Sequence, residues 1–269
     1  MTVRRTLQRA GVLKQATTYL ESVVARYYVR RLHADAALQA QVARLERLRP
    51  IGRHYVHTSY AKPHEVLNIS LYLAELTRTL EARLHRAGID AGGARILDVG
   101  DPDGLVLQAL GARRGVSLNI LEPCVRQIRQ SDGRPVQGDC ARLPFASGVF
   151  DCVFCFETLE HLENPIAGLK ELARVSRGSL YVAIPWVRRT VVREDGHDPK
   201  QPDPENHVFE FCHADFLKVL THARLRVAYY CTIDIVGRIY NPLHLALLRR
   251  FYFPSNYPRF QFFELVTTA

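Results

Sequence analysis

The sequence predicts an α/β protein: a doubly wound, mostly parallel seven-stranded sheet preceded by a helical N-terminal extension. Three observations predict it. From residue 94 onward, short β-branched or aromatic runs alternate with helical patterns of about ten residues, and this alternation requires crossover helices between parallel strands. Within RILDVGDPDGLVLQAL, residues 95–110, an apolar strand runs into a glycine turn and then a helix. Ahead of both, no glycine interrupts residues 12–49.

Taken in order, residues 5–49 are helix-rich. Leu13, Ala16, Leu20, Val23, Val24, Tyr27, Tyr28 and Leu32 recur at three-to-four spacing, which gathers them on one helical face. Pro50-Ile51-Gly52 breaks the run, HYVHTSYAKPHE reads as a loop, and VLNISLYLAELTRTLEARLHRAG is a second amphipathic helix ending at Gly88. GIDAGG links it to the strand ARILDV. GLVLQAL is then a helix, VSLNIL a strand, PCVRQIRQ a helix, RPVQGD a short strand and FDCVFCF a strand. NPIAGLKELARVS is the next helix, SLYVAIP a strand, HADFLKVLTHA a helix, RVAYYCTID a strand and RFQFFELVTT the closing strand. Two segments stand outside the alternation. VRRTVVREDGHDPKQPDPENHVFEF is polar, with three prolines, and suits a lid or substrate wall. NPLHLALLRRFYFPSNYPRF lies between the last two strands. The division expected is residues 1–60 as a basic helical extension and 61–269 as the sheet domain, with substrate-covering insertions at about 187–211 and 237–259.

With 269 residues, 47% hydrophobic and 23% charged, the composition is that of a soluble globular protein. No apolar run reaches the roughly 18 residues that span a bilayer, and MTVRRTLQRAGVLKQ carries no secretory signal, so a cytoplasmic location is expected. The net charge of +9 is unevenly placed: residues 1–60 hold eleven Lys and Arg against three acids, leaving the remainder at +1. Such an arm suits nucleic acid, an anionic surface or an acidic partner, and a solvated helical face is the alternative. Six cysteines are scattered without a disulfide framework. Cys152 and Cys155 form a CxxC inside a strand, where residues three apart face opposite ways and cannot readily share a metal.

In an open parallel sheet, ligands bind beyond the carboxyl ends of the strands, where strand order reverses. The residues there are Asp98 and Gly100 to Gly104, Asn119 to Glu122, Asp139, Phe156 to His161, and Pro185 onward. ILDVGDPDG, the block GDCARLPFASGVFDCVFCFETLEHLENP and a weaker echo in ENHVFEFCHADFLKVL together resemble class I S-adenosylmethionine-dependent methyltransferases, specifically the type 11 subgroup. The resemblance covers roughly residues 94–186. It implies a Rossmann-like methyltransferase fold and S-adenosyl-L-methionine as cofactor, with S-adenosyl-L-homocysteine as product. Carried over by position, Gly100 and Gly104 approach the methionine part with Asp98 on its amino side, Asp139 accepts from the adenine amino group with Cys140 contributing its backbone, and Asp101 and Phe156 are further cofactor-binding candidates. For the ribose the resemblance offers Asn119 or Glu122, and Glu122 is preferred because a carboxylate binds two hydroxyls better than an amide. Local roles compete: Asp139 as a turn former, Glu122 as a helix-start acid and Asp103 as an N-cap.

The turn itself argues against a dinucleotide. Pro102 removes an N–H, and Asp101 and Asp103 repel phosphates, whereas a cofactor carrying an ammonium and a sulfonium tolerates both acids. Methyl transfer needs mainly proximity and alignment. Glu157 and His161, four apart and on one face if a helix starts there, are candidates for a base or orienting pair, and an N-cap with a packed histidine is the alternative. Tyr55, Tyr60, Trp186, His207 and Glu210 are candidates for the substrate wall. Histidines at 197, 207 and 213 match no compact ligand motif, so no metal is expected. The acceptor expected is a small molecule. An RNA or protein methyltransferase docking through the basic arm, or a non-catalytic module, are the other classes.

Overall fold

The computed structural model describes residues 12–48, 63–192, 207–235 and 259–268. Its main sheet has seven strands: β1 (Ile96–Val99), β2 (Val116–Asn119), β3 (Pro135–Gln137), β4 (Phe150–Phe156), β5 (Ser176–Pro185), β8 (Leu225–Asp234) and β9 (Arg259–Thr267). Their order is β3-β2-β1-β4-β5-β9-β8, with β9 antiparallel to both its neighbours and the rest parallel. The chain winds outward from β1 to β3, then returns to lay β4 on the other side of β1. The carboxyl ends of β1 and β4 therefore flank the switch point, in register with Val99 beside Cys155.

Helices α1 (Val12–His33), α2 (Ala36–Leu48), α3 (Pro63–Arg86) and the short α4 (Leu105–Ala109) come before or just after β1. Helices α5 (Glu122–Gln130), α6 (Pro165–Val175) and α7 (His213–His222) follow β2, β4 and β7 (Phe209–Glu210). The glycine-free run is two helices rather than one. It breaks at Asp35, whose Oδ1 accepts from Leu38 N at 3.0 Å and so caps α2. The α3 helix starts three residues earlier than its apolar pattern, at Pro63, since proline in a first turn gives up only an N–H that has no partner there.

Alternation along the strands divides the core in two. Ile96, Cys152, Phe154, Tyr181 and Phe262 pack with Val24, Tyr28, Leu38, Leu45, Leu76 and Leu80 of α1 to α3. Leu97, Val99, Val153, Cys155, Val182 and Phe263 pack with Leu169, Leu172, Phe216 and Leu220 of α6 and α7. Cys152 and Cys155 thus lie in opposite layers, as their strand spacing requires. Buried Glu264 of β9 receives Arg83 of α3 at 2.7 Å, tying the helical layer to the sheet. Part of the arm's charge is engaged internally, with Arg31 at 2.5 Å from Glu75 and Arg44 at 2.6 Å from Glu81. The polar stretch expected as one long loop has its two ends paired: β6 (Val191–Val192) and β7 form a two-stranded antiparallel sheet. Among the described residues no helix is long and apolar enough to cross a membrane.

Candidate active site

The turns after β1 and β4 interlock at the switch point. Gly100 has φ 85°, and a Cβ built there would sit 2.0 Å from Thr158 Oγ1. Thr158 is held over it by donating from Oγ1 to Phe156 O at 2.8 Å. Only glycine fits both the left-handed backbone and the approach.

In the first turn the acids serve the backbone. Asp101 Oδ1 accepts from Asp103 N at 3.0 Å and Gly104 N at 2.7 Å, while Oδ2 accepts from Ser117 Oγ at 2.5 Å. Asp103 Oδ1 accepts from Leu105 N at 3.0 Å, so it satisfies the first N–H of α4 from one position before the cap, which is Gly104. Asp101, expected among the cofactor contacts, has one oxygen engaged by the turn's own amides and the other by Ser117 of β2. Asn119 is occupied as well: Nδ2 donates to Gly100 O at 3.2 Å and Asp101 O at 2.9 Å, and Oδ1 accepts from Leu121 N at 2.9 Å. Asp98 is different. It is 3% exposed, no hydrogen bond from a described residue reaches its carboxyl, and burial, followed by the charges of Asp101 and Asp103, pushes its pKa well above the carboxylate range.

The strand β2 ends at Asn119, so the longer strand that would carry Glu122 to the sheet rim does not form. Glu122 opens α5, exposed, at 2.8 Å from Arg126. Asp139 is exposed, and its Oδ1 accepts from Ala141 N at 2.8 Å, a turn-forming bond; Cys140 beside it is buried.

In the second turn the acids have no such service. Glu157 has φ 47° and stands outside the helical geometry, and only a single 3₁₀ turn, Leu159–His161, follows. The shared helical face expected for Glu157 and His161 is therefore absent, because a left-handed residue cannot start the helix that would carry it. Glu157 lies instead near Tyr72 of α3 and Glu160; burial and then Glu160 hold its carboxyl well above the usual range, partly offset by the Tyr72 hydroxyl. Glu160 is 1% exposed, and neither of its carboxylate oxygens has a well-formed hydrogen bond. Burial raises its pKa, and His161 and His207 oppose that rise.

His207 arrives from the far end of the polar stretch, where Val208 N donates to Glu160 O at 2.8 Å. Its Nδ1 lies 2.9 Å from Glu210 Oε1, and its ring meets His161 edge-to-face with centroids 4.9 Å apart. One ligand atom from each of Glu160, His161 and His207 lies within 4.8 Å of the others. Phe156 packs at the end of β4, stacked on Phe154. Trp186, just past β5, has the Arg259 guanidinium over its ring at 5.1 Å. Tyr55, Tyr60 and His197 lie outside the described residues. Tyr72 escaped the sequence reading, and Thr158 and Glu160 stood in its range 156–161 without an assigned role. Glu160 was in plain view inside ETLEH, whereas Tyr72 is one more apolar-face residue of an amphipathic helix.

The family model described as a methyltransferase domain matches residues 97–183, which hold both turns. This segment is similar to a methyltransferase domain. An uncharacterized methyltransferase of Mycobacterium sp. strain JLS is 34% identical over 112 residues, 39% of this chain and 44% of that protein, so the chain spans under half of the curated relatives it matches first. A demethylmenaquinone methyltransferase of Mycolicibacterium vanbaalenii is 52% identical over 42 residues, 16% of this chain and 18% of that one. The magnesium protoporphyrin IX methyltransferase of Synechocystis PCC 6803, solved with bound SAM, shares the fold: TM-score 0.52 at 16% identity, covering 93% of this chain and 97% of that one. That likeness of fold takes in more of the chain than the segment the family model matches.

Proposed function

We propose that the chain transfers a methyl group from S-adenosyl-L-methionine to a small-molecule acceptor. One observation carries the cofactor reading. The N–H groups of Asp103, Gly104 and Leu105, which in a dinucleotide site would receive a phosphate, are already taken by the carboxylates of Asp101 and Asp103. The turn therefore suits a ligand without phosphate, and the buried Asp98 carboxyl beside it suits one bearing an ammonium group. Gly104 fits as well, since a Cβ there would meet only Ile128 Cγ2 at 3.7 Å, which leaves the turn open to a ligand. Gly100 belongs to the turn's own construction, with Thr158 against it.

When bound, the cofactor supplies a methyl group activated on a sulfonium. Asp98 would hold its amino group, and Asp139, with one oxygen turned into its own loop, would offer the other to the adenine. For the ribose, Glu122 would have to leave Arg126, an exposed pair whose loss costs about 0.5 kcal/mol or less. Glu157 and His161 stay assigned to the acceptor side, with Trp186, His207 and Glu210 as its wall. A small-molecule acceptor is supported by the relatives named for demethylmenaquinone and tocopherol. Internal pairing of Arg31 and Arg44 reduces what the described part of the arm can offer a nucleic acid.

Calorimetric titration with S-adenosyl-L-methionine tests the reading. Wild-type protein is expected to bind, Asp98→Ala and Asp139→Ala to bind at least tenfold more weakly, and Pro102→Gly to bind as the parent does. A folded wild-type chain that takes up no cofactor overturns the proposal in favour of a non-catalytic module. Label transferred from the cofactor in fractionated extract then assigns the acceptor to the small-molecule, lipid, RNA or protein fraction.

A further inference from the structure

We propose that Glu160, His161 and His207 form a binding site for one divalent transition-metal ion, with Glu210 as the residue that orients His207. The inference does not rest on the methyl-transfer reading. Three independent features of the site converge on it. The first is proximity, with one ligand atom from each residue within 4.8 Å of the others. Bonds to zinc-like ions are about 2.0–2.2 Å long, so ligand atoms stand at most roughly 4.4 Å apart. Small side-chain adjustments close the remaining gap.

The second is the condition of Glu160. Its carboxylate is buried, with neither oxygen in a well-formed hydrogen bond. Its neighbours are the second buried acid Glu157 and the imidazoles of His161 and His207, and crowding two carboxyls into a dry site disfavours their ionised forms. A bound cation removes that cost.

The third is the arrangement behind His207. Glu210, fully buried on β7, sits 2.9 Å from His207 Nδ1, which leaves Nε2 to face an ion. A carboxylate on the outer nitrogen of a metal-bound imidazole fixes its tautomer and raises its basicity. Val208 N on Glu160 O also pins the two halves of the site together across the gap in sequence.

The donor set decides the class of ion. Two imidazoles and one carboxylate suit Zn²⁺, Co²⁺ or Mn²⁺, whereas Mg²⁺ and Ca²⁺ favour oxygen ligands. Three protein ligands leave at least one position for water or for an oxygen of a bound small molecule, the pattern of a reactive site rather than a purely structural one.

The test uses the full chain stripped with EDTA and titrated with Co²⁺, followed by its visible d–d absorption and competed with Zn²⁺. One Co²⁺ per chain is expected. Glu160→Gln and His207→Ala should each weaken binding at least tenfold, Glu210→Gln by about tenfold to a hundredfold, and exposed His222→Ala not at all. Circular dichroism establishes that each variant is folded, and the near-isosteric Glu160→Gln guards against simple loss of structure. No Co²⁺ uptake by the folded wild type, or undiminished uptake by a folded Glu160→Gln/His207→Ala double variant, overturns the proposal. Cofactor titration of the stripped protein is read separately, so failure of the metal site and failure of the cofactor site give different results.

Discussion

At the end of β1, Asp101 is buried and accepts hydrogen bonds from two backbone amides and a serine hydroxyl. At the end of β4, the next strand over, Glu160 is buried as deeply and has no well-formed hydrogen bond. Both stand at the same rim of the same sheet, so position alone does not separate them. What separates them is whether the local backbone can reach the carboxylate. Asp101 has a short side chain in a turn whose amides point back at it, and its charge is absorbed in building the loop. Glu160 has a longer side chain on a single 3₁₀ turn, and what faces it is the second acid Glu157 and the rings of His161 and His207.

The sharpest break of this comparison is Gly100→Val. With Thr158 Oγ1 at 2.0 Å from the new Cβ and φ at 85°, the change destabilises the fold by about 3 kcal/mol or more, read by urea denaturation. Loss of cofactor binding in that variant would report the collapse of two turns rather than a contact with the ligand.

Next in size is one chemical change made in both turns. In metal-free protein, Asp101→Asn should lower stability by about 2 kcal/mol, because an amide cannot accept from three donors on its two ends. Glu160→Gln should leave stability level or raise it by about 1 kcal/mol, since it removes a buried acid crowded against Glu157. Denaturant midpoints in EDTA buffer check both signs, and a matching loss at Glu160 would erase the distinction.

The smallest effects concern the ribose position. Asn119→Ala should cost about 1–2 kcal/mol, because its amide ties Gly100 and Asp101 to β2. Glu122→Ala should change stability by less than about 0.5 kcal/mol. If Glu122 answers the ribose, its loss weakens cofactor affinity all the same, and calorimetry separates that effect from folding.

Much of this was legible along the chain. The alternation of runs from residue 94, the glycine turn and the opposite faces of Cys152 and Cys155 all follow from local periodicity, which has the same meaning in any context. The local role of Asp103 was legible for the same reason, since a carboxylate two residues before an amide needs nothing distant. The break at Asp35 was missed because an unbroken apolar stripe hides a cap within it. The condition for a shared helical face of Glu157 and His161, a helix starting at Glu157, is not met because the backbone turns left-handed there.

By itself, then, the sequence determined the strands, the crossovers and the glycine turn after β1, since each depends on residues within a few positions of one another. Only the tertiary structure brought His207 onto Glu160 and His161, set Tyr72 near Glu157 and closed Thr158 over Gly100. Those meetings join segments far apart in the chain. They are fixed by strand order and by one backbone hydrogen bond across the gap, neither of which has any periodicity to read.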